Sequence, residues 1–287
     1  MPLLFTIMLF AAFGGIASAA FALVFLWVRE EHATLILPHF ISFATGALLG
    51  AALLALLPEA MERGGPGAAH GIGVALIAGL GVFFIIEKLV LWWHAHAHED
   101  GTAPACPQHA DDLAEDDHAA HGHEHAGHSH GIHADARDRA SGVLVLVGDS
   151  LHNALDGVLI AAAFLSSMSL GLLTTFAVAA HEIPHRVGDF AILVQAGLSR
   201  PRALLLNLGT GIASVLGAAA AYFGLRQSMG ALPYALAVAA AGFLYIAVAN
   251  LIPGLHRRVD PRTSAVQVLL IGAGIVVIDL AERLAGE

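Results

Sequence analysis

The sequence predicts an all-α integral membrane protein with eight transmembrane helices, and three observations carry that prediction. Of its 287 residues 57% are hydrophobic and only 13% charged, whereas a water-soluble domain has about a quarter charged. Eight mostly apolar runs reach the roughly 20 residues that a helix needs to cross a hydrocarbon core of about 30 Å. Two of those runs carry polar side chains at helical spacing. The net charge of −10 and the single lysine leave no electrostatic footprint for nucleic acid. One cysteine, Cys106, excludes an intrachain disulfide and an all-thiolate metal site.

The runs lie near 3–28, 36–58, 71–93, 142–165, 170–194, 203–225, 232–253 and 265–284. The first has no charged side chain and no basic segment before it, which marks a retained span and not a signal peptide. Turn residues fill the short links, as in Gly64-Gly65-Pro66, Ser166-Ser167 and Ser199-Arg200-Pro201. Residues 1–94 thus hold three spans, 95–141 a polar loop, 142–195 a central pair and 196–287 the last three. Arg29, Arg137, Arg139, Arg200, Arg202, Arg257, Arg258 and Arg262 follow odd-numbered spans, against Arg63, Arg226 and Arg283 on the other side. That bias places both termini outside the cytoplasm of a multi-pass protein in the cell membrane, inner or plasma.

Two internal echoes stand out. Span two ends Ala55-Leu56-Leu57-Pro58 and span seven ends Asn250-Leu251-Ile252-Pro253. Spans four and five carry His152-Asn153-x-x-Asp156 and His181-Glu182-x-x-His185. Repeats of this kind build many secondary transporters, with the substrate at the repeat interface.

Ionisable groups inside a bilayer are costly unless paired or facing water, so they default to function. Span four presents Asp149, His152, Asn153 and Asp156 on one helical face, and span five presents His181, Glu182, His185, Arg186 and Asp189. At 1.5 Å per residue, His152 and His181 both fall roughly 15 Å deep, so they meet near the midplane. Asp149 and Asp189 then lie toward the cytoplasm and mark a path out. His152, Asp156, His181 and His185 offer three imidazoles and a carboxylate, a set suited to Zn²⁺ and acceptable to Fe²⁺, Mn²⁺, Co²⁺ or Cd²⁺. Pro184 removes a backbone hydrogen bond and frees a carbonyl beside these ligands.

His181-Glu182-Ile183-Pro184-His185 also spells H-E-x-x-H, the zinc metalloprotease signature, and Leu155-Asp156-Gly157 resembles the aspartate motif of intramembrane site-2 proteases. The proline, the reversed motif order and the unexplained His152 and Asn153 argue against an enzyme. Residues 95–141 hold ten histidines, ten acids and two arginines, with the run His121, His123, His125, His128 and His130. Such a segment cannot bury a core and is expected to be disordered, yet it can wrap a metal ion with neutral imidazoles above roughly pH 6.5. Glu87-Lys88 in span three reads as an ion pair at a helix interface, and Gly209-Thr210-Gly211 as close helix packing.

At these residues the sequence resembles the ZIP family of divalent-metal transporters. The resemblance rests on His152-Asn153-Ala-Leu-Asp156-Gly157, on His181-Glu182-Ile-Pro184-His185-Arg-Val-Gly188-Asp189, on the His-rich loop and on Leu-Leu-Pro-Glu closing span two. It implies an eight-helix fold in a 3+2+3 arrangement, with inverted three-helix repeats flanking spans four and five. It implies metal movement into the cytoplasm by alternating access, no cofactor beyond the transported ion, and homodimers as common assemblies. The family's principal site maps onto His152, Asp156, His181 and His185, and an adjacent second site onto Asn153 and Glu182. Here the chain departs from the family, which usually has Glu where this sequence has Arg186. A guanidinium cannot ligate a metal, so Arg186 is expected to stand in for a second ion, paired with Glu182 or Asp189. A cation-efflux carrier of the diffusion-facilitator type is the transporter alternative, but eight spans argue against it.

Overall fold

A computed structural model describes residues 2–18, 20, 30–96, 130–256 and 260–286. Every regular element among them is helical. In chain order they are α1 (Pro2–Ala12), α2 (Glu30–Gly50), α3 (Leu57–Gly64), α4 (Ala69–His96), α5 (His130–Ser166), α6 (Met168–Gln195), α7 (Arg200–Arg226), α8 (Leu232–Tyr245), α9 (Ile252–Leu255) and α10 (Pro261–Gly286). Six helical stretches are long and apolar enough to cross a membrane, and Pro2–Ile16 is a shorter apolar helix. The remaining long helix, α6, falls outside that count because it carries the five polar groups of span five. Spans two to eight thus appear where the hydropathy places them, while most of the far end of span one lies outside the described residues.

The polar loop is shorter at its C-terminal end than expected. The backbone is helical from His130, twelve residues before the anticipated start of span four. His121, His123, His125, His128 and Cys106 lie outside the described residues.

The echo between spans two and seven extends to the backbone. α2 passes into α3 through a π-helical segment, Ala51–Leu56, and α8 passes into α9 through another, Ile246–Leu251. In each, the residue before a proline reaches back five positions, Leu57 N–H to Ala52 O and Ile252 N–H to Ala247 O. Pro58 and Pro253 explain the widening, since each lacks an N–H and its ring blocks the carbonyl four residues earlier.

Two sets of helices result. α5 packs along α7 and α6, with α1 against α7; α10 packs along α2, and α4 along α8. The pairs α2–α10 and α4–α8 are the ones that exchanging the first three spans with the last three would interchange. Close approach depends on missing side chains. A Cβ on Gly157 would fall 1.8 Å from Ser214 O and one on Gly217 2.0 Å from Ala154 O, locking α5 to α7. Gly46 and Gly274 do the same for α2 and α10, with a Cβ 2.0 Å from Ile271 O and 2.3 Å from Phe43 O. Small residues at helix crossings are how membrane helices gain packing without a hydrophobic driving force. Gly211 likewise abuts the backbone of Gly15, so the Gly-Thr-Gly sequence is a packing feature.

At one end of the bundle α5 turns directly into α6. Ser167 caps α6, its Oγ accepting from Leu170 N–H at 3.1 Å. Ser166 Oγ donates to Glu59, and Arg63 donates to Ser166 O at 2.5 Å and to Glu59 at 2.6 Å. This knot pins α3 to the α5–α6 turn and fixes how the two polar helices enter the membrane.

Candidate metal site

α5 and α6 cross with their polar faces together, and four side chains converge there. His152 Nε2 lies 3.3 Å from His181 Nε2, 3.4 Å from Glu182 Oε1 and 3.7 Å from Asp156 Oδ2. His181 Nε2 lies 3.6 Å from Asp156 Oδ2 and 3.7 Å from Glu182 Oε1. A tetrahedron with metal–ligand bonds of about 2.0–2.1 Å has edges of about 3.3–3.4 Å. These five separations lie within about 0.4 Å of such an edge, and all four side chains offer ligand atoms within 4.8 Å of one another.

Two further observations fit a cation at the centre. Asp156 Oδ2 and Glu182 Oε1 are fully buried and accept no hydrogen bond from the described residues. Buried carboxylate oxygens without a donor are strongly unfavourable unless a cation sits beside them. In addition, His181 Nδ1 is 3.2 Å from Ala177 O, one turn back on α6. Donation of that N–H to the carbonyl leaves Nε2 as a lone-pair ligand aimed at the centre. The helix continues through Pro184.

A second group lies beside the first. His185 Nδ1 is 2.9 Å from Asp189 Oδ2 and 3.9 Å from Asp149 Oδ1, and the three can share an ion. The His185 ring stacks on that of His152, centroids 5.3 Å apart. The sequence reading put His185 in the four-ligand set; the coordinates instead put Glu182 there and group His185 with Asp149 and Asp189. The reason is geometric. Positions 181 and 185 share a helical face, but α5 crosses α6 on the side where residue 182 points, so the glutamate reaches the His152 and His181 nitrogens.

Arg186 is wholly buried and pairs with Glu182, as the sequence suggests, and also with Asp149; among the ion pairs of the described residues, none joins it to Asp189. Asn153 is bound within this network, donating to Asp149 and accepting from Arg186. Two partners, Asn207 and Thr210 of α7, escape the sequence reading. A lone amide and a hydroxyl three residues apart in an apolar span are the only signal, and it names no partner.

A cavity of about 240 Å³ opens beside both groups, between α4, α5, α6 and α8. His152, His185, Asp149 and Asp189 line one wall, and Glu87 and Tyr245 the other. Glu87 accepts from Tyr245 Oη, and Lys88 lies over the Phe84 ring, so Glu87's described hydrogen bond is with Tyr245 and not with Lys88. On its other side the cage is closed by apolar packing, with His181 meeting Phe243 at 6.4 Å between centroids.

The family model described as ZIP zinc transporter matches residues 2–281. The chain is 38% identical over 275 residues to zinc transporter ZIP13 of Homo sapiens, covering 88% of this chain and 72% of that protein. It is 32% identical over 332 residues to zinc transporter SLC39A7 of Rattus norvegicus, covering 94% and 70%. Against zinc transporter ZIP13 of Danio rerio the identity is 34% over 262 residues, covering 85% and 75%.

Proposed function

The chain belongs to the ZIP zinc transporter family, and on that premise we propose that it carries divalent transition-metal ions, zinc foremost, across the membrane into the cytoplasm. The observation that carries this reading is the cage of His152, Asp156, His181 and Glu182, with its close-set nitrogens and oxygens and two donorless carboxylate oxygens facing them. Two nitrogens and two oxygens suit Zn²⁺ and accept Fe²⁺, Mn²⁺, Co²⁺ and Cd²⁺, whereas Mg²⁺ and Ca²⁺ favour oxygen alone.

The arginine distribution supports a direction. With both termini outside, the N-terminal half of α5 and the C-terminal half of α6 face the cytoplasm, and so does the cavity that they line. The ion leaves the cage by ligand exchange. His185, stacked on His152, supplies the next imidazole, and Asp149 and Asp189 the next carboxylates. Each step replaces one ligand by another a few ångströms away, so the ion is never stripped of ligands in low dielectric. Phe243 and the packed alanines of α8 close the opposite path in this conformation. Alternating access then requires the α5–α6 pair to shift against α4 and α8. In the sequence, His121, His123, His125, His128 and His130 form the metal-binding run suited to receive the released ion in the cytoplasm. The working unit in this reading is a transporter without a cofactor, in the cell membrane, and it is compatible with a homodimer.

A protease would need His181 and His185 on one metal, with Glu182 left free to activate water. Glu182 Oε1 instead lies 3.4 and 3.7 Å from two imidazole nitrogens, in a ligand position, which favours transport. The test is uptake of radioactive zinc into liposomes holding the purified protein. His181→Ala is expected to abolish it, and undiminished uptake in that variant overturns the assignment.

A further inference from the structure

The Arg186 guanidinium lies in a cage of its own, made only of oxygens. Nη1 reaches Asp149 Oδ2 at 2.7 Å, Asn207 O at 2.9 Å and Asn207 Oδ1 at 3.0 Å, and also donates to Thr210 Oγ1. Nη2 reaches Asn153 Oδ1 at 2.5 Å. Nε lies 2.9 Å from Glu182 Oε2, an ion pair whose N–H points off the line to the oxygen. These oxygens come from three helices, α5, α6 and α7. Asn207 also donates from Nδ2 to Arg186 O at 3.0 Å, fastening the arginine's own backbone to α7.

A wholly buried arginine in a bilayer is tolerated only with strong compensation. Here two carboxylates and three neutral side chains supply it, and Glu182 links the two cages. Its Oε1 faces His152 and His181 while its Oε2 faces the guanidinium. A carboxylate shared in this way, one oxygen to each side, is how a bridging ligand holds two cations. From this geometry we infer that Arg186 is a tethered cation occupying a second cation position beside the transport cage, so that no second metal ion binds on the far side of Glu182.

Two consequences follow from charge alone. A free divalent ion cannot enter the oxygen cage while the guanidinium fills it, because its nearest ligands are already engaged and a like charge stands among them. Replacing the guanidinium by a carboxylate changes the local charge by the magnitude of one divalent cation, and it adds an oxygen ligand where the positive charge was. Arg186 also acts as a positioning residue, since it fixes one oxygen of Glu182 and thereby aims the other at the transported ion.

This inference rests on the assignment of the His152–Asp156–His181–Glu182 cage, and the two are separable in one experiment. Zinc bound per chain is counted by elemental analysis of the full-length protein in lipid nanodiscs after dialysis against zinc. The His-rich segment is the same in every variant, so differences from the parent report the membrane sites. Arg186→Glu is expected to gain about one zinc per chain, Arg186→Lys to match the parent and His181→Ala to lose about one. An unchanged count in His181→Ala defeats the cage assignment. An unchanged count in a monodisperse Arg186→Glu, alongside a loss in His181→Ala, defeats the inference about Arg186 alone. If Arg186→Glu does not fold, the parent decides. Anomalous scattering from zinc-loaded crystals should show no peak among Asp149, Asn153, Glu182 and Asn207, where the guanidinium lies, and a peak there overturns the inference.

Discussion

The two sets of packed helices use the same close contacts but bury different chemistry. α5, α6 and α7 enclose Asp149, Asn153, Asp156, Glu182, Arg186 and Asn207. The facing segment from α8 into its π turn buries Leu236, Ala237, Ala239, Ala240, Ala241, Phe243 and Ala247. Both sets are held by glycines whose missing Cβ lets one backbone meet another, Gly157 with Gly217 in the first and Gly46 with Gly274 in the second. The ion pairs and hydrogen bonds of the buried polar cluster run within the first set. The comparison separates what holds the helices together from what holds the ion. The candidate ligands and their counter-charges are joined to one another by ion pairs and hydrogen bonds within the first set.

Breaking the polar side of this comparison should cost most. Glu182→Gln removes both a candidate ligand and one of the two carboxylate partners of a buried guanidinium, and zinc uptake in liposomes is expected to fall about 100-fold or more. If uptake stays within a few-fold of the parent, Glu182 is not a ligand. Next come the packing glycines, one from each set. Gly157→Ala and Gly46→Ala should each destabilise by about 1–3 kcal/mol, read as a fall in the thermal midpoint of the detergent-solubilised protein. Similar losses in both support a shared packing mechanism, whereas a loss in only one set divides them. A smaller effect is expected across the cavity. Tyr245→Phe removes the hydroxyl that binds Glu87, which should alter uptake at limiting zinc by about fivefold and leave the bound zinc count unchanged.

The smallest effect lies outside the membrane. Asp260 precedes α10, and its Oδ1 accepts from Thr263 N–H at 2.9 Å; the hydrogen bonds from Thr263 hold its carboxyl below the usual carboxylate range. A lowered value in the folded state means a contribution fully present above the unfolded value of about 3.9 and lost as pH falls through the folded one. Asp260→Asn should therefore flatten the acid limb of a stability–pH curve slightly, lowering stability a little near neutrality and leaving the most acid end unchanged.

Much of this was legible in the sequence because membrane solvation imposes simple rules. Apolar runs of fixed length give the spans, and ionisable groups within them are too costly to be accidental. What stayed hidden depends on crossing geometry or on distant pairing. Glu182 sits one position from His181, and only the angle between α5 and α6 decides that it meets His152, Asp156 and His181 while His185 meets Asp149 and Asp189. Asn207 meets Arg186 across 21 positions and Tyr245 meets Glu87 across 158, so no local pattern could pair them. The π turns were half legible: Pro58 and Pro253 sit at equivalent places, but a proline can equally kink a helix, and only the Leu57 and Ile252 hydrogen bonds show the widened form.

The central claim is that Glu182, and not His185, completes the cage. Equilibrium dialysis with radioactive zinc against Glu182→Gln and His185→Ala tests it most directly. The expected result is loss of about one zinc per chain in the glutamate variant and a count equal to the parent in the histidine variant, whose defect should appear in transport rate. The reverse pattern, with zinc lost from His185→Ala and retained by Glu182→Gln, contradicts the account.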